Sequence, residues 1–171
     1  METRGGFTLV ELLIVVAIIG VLAAIAVPGL VRARMSGNEA SAIGTLRAVN
    51  SAQVTYSSSA ARGGYAVSLP VLATRCGPAG EGYLADDLTS AAVVVKSGYT
   101  ITLAAGAGGA AGPNDCNGTA SQTAYYASAT PVALGSTGQR AFATDQVGTI
   151  WQSTTGVAPG QPFGAPATPI P

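Results

Sequence analysis

A long apolar run near the start of the chain dominates its pattern of hydrophobic and polar positions. Residues 12–31 contain no charge, and Glu11 stands at the head of the run. As a helix, this run would be about 30 Å long, which matches the hydrocarbon core of a bilayer. A carboxylate there is costly unless it has a partner, and the nearby cation, Arg4, is separated from the helix by two glycines. We therefore expect the partner of Glu11 to come from elsewhere.

The helical pattern continues beyond the apolar run and becomes amphipathic. One narrow face carries the positions Ala42, Leu46, Val49 and Tyr56, while Arg47, Ser51 and Ser58 point away from it. The pattern predicts one helix from Phe7 to about Ser58, with an apolar half and an amphipathic half that packs on a globular partner. Pro28, followed by Gly29, is expected to kink or locally unwind the apolar half, because proline removes a backbone donor.

After the helix, short runs of β-branched and aromatic residues alternate with turn residues. Residues 92–96 and 99–103 predict a strand pair or one interrupted strand, and further candidate strands are 123–129, 140–144 and 149–153. The stretch 145–148 predicts a hairpin turn. Three to five antiparallel strands on the amphipathic helix make an α+β domain. The strand aromatics Tyr125, Tyr126, Phe142 and Trp151 are expected mainly in its core.

Composition excludes several classes of function. Eight Lys and Arg balance eight Asp and Glu, so no strong field attracts nucleic acid. There is no histidine, which is the commonest general base and metal ligand. The Gly/Ala-rich loop at 104–112 lacks the Lys-Ser/Thr pair of a phosphate-binding loop. We therefore expect no enzyme activity, no cofactor and no specific nucleic-acid binding.

Asp86 and Asp87 are the remaining candidates for a cation site. A calcium ion needs about six oxygen ligands, but only Glu81 is close to them in sequence, while Asp115 and Asp145 are distant. A solvated turn is the preferred interpretation, and no metal site is predicted.

Two cysteines and a proline-rich end complete the globular part. Cys76 and Cys116 lie in the region that would be outside the membrane, where one disulfide is favoured over the alternative of free thiols.

Residues 156–171 are rich in proline. They predict an extended surface segment with polyproline character and without a packed core.

The N-terminal residues carry a specific family resemblance. The motif GFTLVE at residues 6–11, the apolar helix after it and Pro28 resemble the type IV pilins, a class that includes the pseudopilins of type II secretion. The resemblance implies cleavage between Gly6 and Phe7 by a prepilin peptidase, and N-methylation at Phe7. It also implies a partner for Glu11, namely the amine that cleavage creates on Phe7 of a neighbouring subunit. In this class the helix near Pro28 can lose its hydrogen bonds within the filament.

The resemblance and the pattern together divide the chain into five segments. These are a leader peptide (1–6), an apolar transmembrane and filament-core helix (7–31), an amphipathic helix (32–58), a globular loop and sheet domain (59–155) and the Pro-rich tail (156–171). The resemblance implies a subunit of a homo-oligomeric helical filament. Its implied partners are the prepilin peptidase and the pilus or secretion assembly machinery.

The implied location is the inner membrane, with the leader on the cytoplasmic side, followed by an extracellular pilus. The orientation depends on the resemblance, because basic residues flank the apolar run on both sides. Alternatives within the class are a minor pilin and a pseudopilin of a periplasmic type II secretion filament. Outside the class stand a signal-anchored membrane protein and a secretory signal peptide removed after Ala26.

Overall fold

The computed structural model of the protein describes residues 6–77 and 82–170. Apart from Gly6, the predicted leader lies outside the described residues, as do Glu81 and the last proline. The chain divides into two units, residues 1–34 and 35–171. Helix α1, Leu9–Ser59, contributes to both units, and each unit is described separately.

The part of α1 that belongs to the second unit buries one face. Residues three or four positions apart are buried there: Met35, Glu39, Ala42, Thr45, Leu46, Val49, Ala52, Gln53 and Tyr56. In contrast, Arg47, Ser51 and Ser58 are exposed. The predicted amphipathic face is therefore confirmed, and the helix ends at Ser59.

Six strands form one antiparallel sheet in which chain neighbours are also spatial neighbours. The strands are β1 Val93–Lys96, β2 Tyr99–Ala105, β3 Tyr125–Pro131, β4 Ala141–Asp145, β5 Trp151–Ser153 and β6 Thr168–Pro169. A 3₁₀ helix, Leu69–Ala73, and a one-turn helix α2, Asp86–Thr89, lie between α1 and β1 in the chain. The predicted α+β fold, a long helix packed on an antiparallel sheet, is confirmed. The strand count exceeds the predicted range because the tail supplies β6.

Two tight turns fix the register of the sheet. Ser97 and Gly98, between β1 and β2, have φ angles of 48° and 73°, and a two-residue turn with both angles positive matches the twist of a hairpin. The first two candidate strands are thus a pair and not one interrupted strand. Between β4 and β5, the N–H of Gly148 donates to the carbonyl oxygen of Asp145 at 2.9 Å, so the predicted turn is confirmed.

The core lies between α1 and one face of the sheet. Alternate β2 residues, Tyr99, Ile101 and Leu103, are buried there with α1 residues such as Leu46 and Val49. Burying each large apolar side chain contributes about 1.5–3 kcal/mol. The aromatic residues of β3, β4 and β5 divide between the two faces. Tyr125 and Phe142 are in the core, as predicted.

Tyr126 and Trp151 are only half-buried, so the expectation that the strand aromatics are mainly core is wrong for these two. The reason is the alternation of side chains along a strand. Tyr126 follows the buried Tyr125, and Trp151 pairs across the sheet with Ala143, the neighbour of the buried Phe142. Both therefore lie on the outer face of the sheet.

An ion pair ties α1 to the start of β4. Oε1 of Glu39 accepts from the backbone N–H groups of Gln139 (2.9 Å) and Arg140 (3.1 Å). Its Oε2 accepts from Nε (2.9 Å) and Nη2 (2.6 Å) of Arg140. Burial by itself would raise the pKa of Glu39, but these hydrogen bonds and the Arg140 charge hold that pKa below its usual value.

The C-terminal strap, residues 159–170, departs from its prediction. The Tyr126 hydroxyl donates to the Pro159 carbonyl oxygen at 2.7 Å. The Phe163 ring centroid lies 5.7 Å from that of Trp151 and 6.2 Å from that of Tyr126, and β6 pairs with β5. The tail lies at the surface, as expected. It nevertheless packs on the sheet, which was not expected, because its aromatic partners come from strands that are distant in sequence.

Candidate assembly segment

In the first unit, the apolar side chains of α1 are exposed. Leu9, Ile25 and Leu30 have exposed fractions of 73%, 75% and 70%. By length and composition, α1 is apolar enough to cross a membrane. Apolar surface on every side of a helix requires lipid or other protein around it. This half of α1 is therefore the part of the chain that is suited to membrane insertion or helix–helix assembly.

Thr8 and Glu11 cap the N-terminus of α1. Oε2 of Glu11 accepts from the backbone N–H of Thr8 at 2.8 Å and from its hydroxyl at 2.7 Å. In return, the hydroxyl oxygen of Thr8 accepts from the N–H of Glu11 at 3.3 Å. This is a capping box, which satisfies donors at the helix start that otherwise have no partner. Gly6 and Phe7 precede the cap and are exposed.

The capping box was missed in the sequence analysis, although its Thr-x-x-Glu pattern is visible at residues 8–11. Glu11 thus has hydrogen-bond partners within its own chain. These hydrogen bonds do not neutralise its negative charge, which would need a cation nearby. Neither of the two ion pairs found in the described ranges, 6–77 and 82–170, includes Glu11.

Pro28 lies inside α1, and the helix is continuous through it. Of the two expected effects of Pro28, a kink or local unwinding, the local unwinding is absent in the single chain. Proline removes one backbone donor, but the hydrogen bonds of the turns on either side remain, which is why apolar helices tolerate it.

Cys76 and Cys116 form a disulfide, with their Cα atoms 5.7 Å apart. Next to it, Asp115 is buried and accepts from the Tyr56 hydroxyl at 3.0 Å. Burial and this carboxylate raise the pKa of Tyr56 well above its usual value. The Tyr56–Asp115 contact holds the loop before β3 against the end of α1, and the bridge ties the same loop to the segment after the 3₁₀ helix.

The acidic residues considered for a cation are dispersed. Asp87 forms an ion pair with Lys96 at 2.6 Å, Asp115 lies beside Tyr56, and Asp145 is at the β4–β5 turn. Glu81 lies outside the described residues. In the part of the chain that the structure describes, no three acidic, histidine or cysteine side chains gather in a group that could hold a metal ion.

Comparison with known proteins places the N-terminal segment in a family. Residues 1–27 match the family model described as "Prokaryotic N-terminal methylation motif". Over 51 residues the chain is 47% identical to the type IV major pilin protein PilA of Myxococcus xanthus (strain DK1622), a match that covers 30% of this chain and 23% of that protein. In its methylation motif and over these 51 residues, the chain is similar to the type IV pilins. No solved structure matches this chain significantly.

The similarity agrees with the general character of the molecule. Pilins are structural and non-enzymatic proteins, and the apolar helix followed by a helix-on-sheet domain is a pilin-like architecture. The matched residues of this chain span 23% of the relative's length, which is less than a quarter. What the relative assembles into is therefore a matter for proposal.

Proposed function

We propose that this chain is the structural subunit of a type IV pilus-like helical filament, and that it polymerises through its N-terminal helix after leader cleavage. The observation that carries the proposal is the helix half at residues 9–31, whose apolar side chains are exposed all round. In a membrane these side chains contact lipid, and in a filament they contact the same helix of neighbouring subunits. One surface thus serves both the stored and the assembled state.

Processing would create a positively charged partner for Glu11. Cleavage between Gly6 and Phe7 creates a positive amine, and N-methylation keeps that charge. Both hydrogen bonds from Thr8 end on Oε2 of Glu11. Within the described residues Oε1 has no partner, so it is available to the amine of a neighbouring Phe7. A paired charge among apolar helices fixes their register, because any slipped register leaves both charges unpaired.

The similarity to a protein named as a major pilin favours a surface pilus over a pseudopilus of type II secretion or a minor pilin. In this proposal the chain is held in the inner membrane with its leader side cytoplasmic before assembly. Its partners are other copies of itself, the prepilin peptidase and the assembly machinery.

Glu11→Gln tests the proposed pair and separates charge from capping. Glutamine keeps an oxygen that can accept from Thr8, so the helix start is retained, but it cannot pair with the amine. We expect normal membrane insertion and cleavage, with a yield of sheared filaments reduced by about tenfold or more. Asp86→Asn, at an exposed carboxylate of the second unit, is the matched control. A normal filament yield from Glu11→Gln would refute the proposed pair.

Mass spectrometry of sheared filaments tests the leader cleavage and N-methylation, and it also distinguishes a major pilin from a minor pilin or a pseudopilin. The proposal expects this chain as the dominant protein, beginning at a methylated Phe7. Retention in the cell envelope, with no surface filament that contains the chain, would instead indicate a pseudopilin. A trace amount among other pilins would indicate a minor pilin.

A further inference from the structure

We propose that Arg32 and Arg34 bind the headgroups of anionic phospholipids at the point where the apolar run of α1 ends. This inference rests on the proposed storage of the chain in a membrane, and it adds the class of lipid that holds the subunit there. Both arginines belong to the first unit and both are exposed. They directly follow residues 12–31, which carry no charge.

The position of the two arginines along the helix matches the headgroup layer of a bilayer. As a helix, residues 12–31 are about 30 Å long, which is the thickness of the hydrocarbon core. Each further residue adds about 1.5 Å, so Arg32 and Arg34 follow within about 5 Å of the end of the run. The headgroup layer on each side is about 5–7 Å thick. When the run spans the core, both guanidinium groups therefore lie at the level of the lipid phosphates.

The two arginines point to different sides of the helix. Successive residues of an α-helix are rotated by about 100°, so positions 32 and 34 are about 200° apart. A pocket for one phosphate would need both side chains on one side, whereas lipid around a helix offers phosphates on every side. Each arginine can form two parallel hydrogen bonds with a phosphate. The arrangement therefore suits a lipid surface better than a single bound phosphate.

Within the described ranges, 6–77 and 82–170, the two arginines have no acidic partner. Neither of the ion pairs found there includes Arg32 or Arg34. The next acidic residue along the chain is Glu39, which is buried and is already paired with Arg140. The charges of the two arginines are therefore available to an anionic partner outside the chain.

A second copy of the chain is the main alternative partner, and it offers few acidic groups. Asp87 is in an ion pair, Asp115 is buried, and Asp145 already accepts two hydrogen bonds. In the described range 82–170, Asp86 is the one exposed carboxylate without an ion pair or a side-chain hydrogen bond. In contrast, every anionic phospholipid carries a phosphate. A leaflet of such lipids can therefore neutralise both arginines of each subunit.

Electron spin resonance of labelled lipids tests the proposal with the full chain in phosphatidylcholine vesicles. A trace of spin-labelled phosphatidylcholine or phosphatidylglycerol is added, and the fraction of each label whose motion the protein restricts is measured. One arginine near an anionic surface contributes attraction equivalent to a factor of about five. We expect phosphatidylglycerol to be enriched about fivefold or more over phosphatidylcholine at low salt. In about 1 M salt the screening length is about 3 Å, and most of the enrichment should disappear.

The double variant Arg32→Gln with Arg34→Gln isolates the two side chains. It keeps the apolar run, and both positions are exposed, so the fold should be retained. The enrichment should fall by about threefold or more. Arg47→Gln, at an exposed arginine of α1 that does not adjoin the apolar run, is the matched control and should keep the enrichment. Unchanged enrichment in the double variant would overturn the proposal. So would enrichment that appears only in Asp86→Asn, because another copy would then hold the arginines.

The experiment separates failure of this inference from failure of the proposed function. Restricted phosphatidylcholine without a preference for phosphatidylglycerol would refute headgroup binding and leave membrane storage and filament assembly intact. No restricted lipid of either kind would refute membrane storage, and headgroup binding with it. Absence of sheared filaments from the unaltered chain would count against the filament alone, since the lipid measurement does not depend on assembly.

Discussion

Glu39 combines burial with charge, and its partner is 101 positions away in the chain. Its side chain is 9% exposed, while that of Arg140 is 39% exposed. Four hydrogen bonds from the β4 side converge on this one carboxylate. At a buried position such a charge must be fully paired, since an unpaired one is strongly destabilising. The pair therefore specifies where α1 rests on the sheet.

The Glu39 pair predicts a loss of stability in acid. Its folded-state pKa lies below the usual value of 4.5, so its contribution is complete at neutral pH. The contribution begins to fall near the unfolded-state pKa and is lost as pH drops through the folded-state pKa. Glu39→Gln should lower the free energy of unfolding by about 2–3 kcal/mol at neutral pH and reduce its dependence on pH in acid. Denaturant unfolding followed by Trp151 fluorescence measures both.

The exposed pair between Asp87 and Lys96 is the matched control for this measurement. Their side chains are 55% and 37% exposed, so solvent screens the interaction. Asp87→Asn should change stability by less than about 1 kcal/mol. Equal losses from Glu39→Gln and Asp87→Asn would mean that the buried pair has no special role.

At the scale of elements, the hairpins follow from local sequence and the strap does not. Alternation and turn residues are local signals, which is why the strands near 92–105 and 141–153 were predicted close to their observed positions. The strap at 159–170 has no internal period. It is held by Tyr126 and Trp151 from β3 and β5, and a contact between distant segments leaves no pattern in either one.

Two glycine variants separate backbone strain from steric contact in the hairpins. Gly98 has φ of 73°, and an added Cβ would lie 2.9 Å from Cβ of Thr137, whereas Gly148 has φ of 83° with open space around it. Gly148→Ala should cost about 1 kcal/mol, from the left-handed backbone alone. Gly98→Ala should cost roughly 1–2 kcal/mol more because Thr137 must also move. Thermal unfolding of the two variants side by side measures the difference, and equal losses would contradict this account.

At the scale of the whole molecule, the disulfide closes a long loop in the second unit. Cys76 and Cys116 are 40 positions apart, and a cross-link of that span stabilises the folded state by about 4 kcal/mol in the chain-entropy model. Reduction, or the double change Cys76→Ser with Cys116→Ser, should lower the free energy of unfolding by about that amount. Before reduction, the folded protein should not react with an alkylating reagent. Two thiols alkylated without a reductant would be inconsistent with the bridge.

The sequence by itself determined the features that depend on neighbours along the chain. These are the apolar run, the amphipathic face with Leu46 and Tyr56, the hairpins and the family motif at residues 6–11. The capping box of Thr8 and Glu11 belongs to the same group, since its signal was present although it was not used. Helical and strand periods, turn residues and caps all depend on interactions between residues close together in the chain. They can therefore be recognised in a single sequence.

Only the tertiary structure decided which distant residues meet. The partner of Glu39, the outer-face position of Trp151 and the packing of Phe163 all depend on how the strands pair and on which side of the sheet α1 lies. Such contacts bring together side chains that have no relation in sequence, and each is selected by the register of the sheet. For that reason the sequence alone predicted the proposed assembly helix, while the packing of the C-terminal strap became visible only in the folded domain.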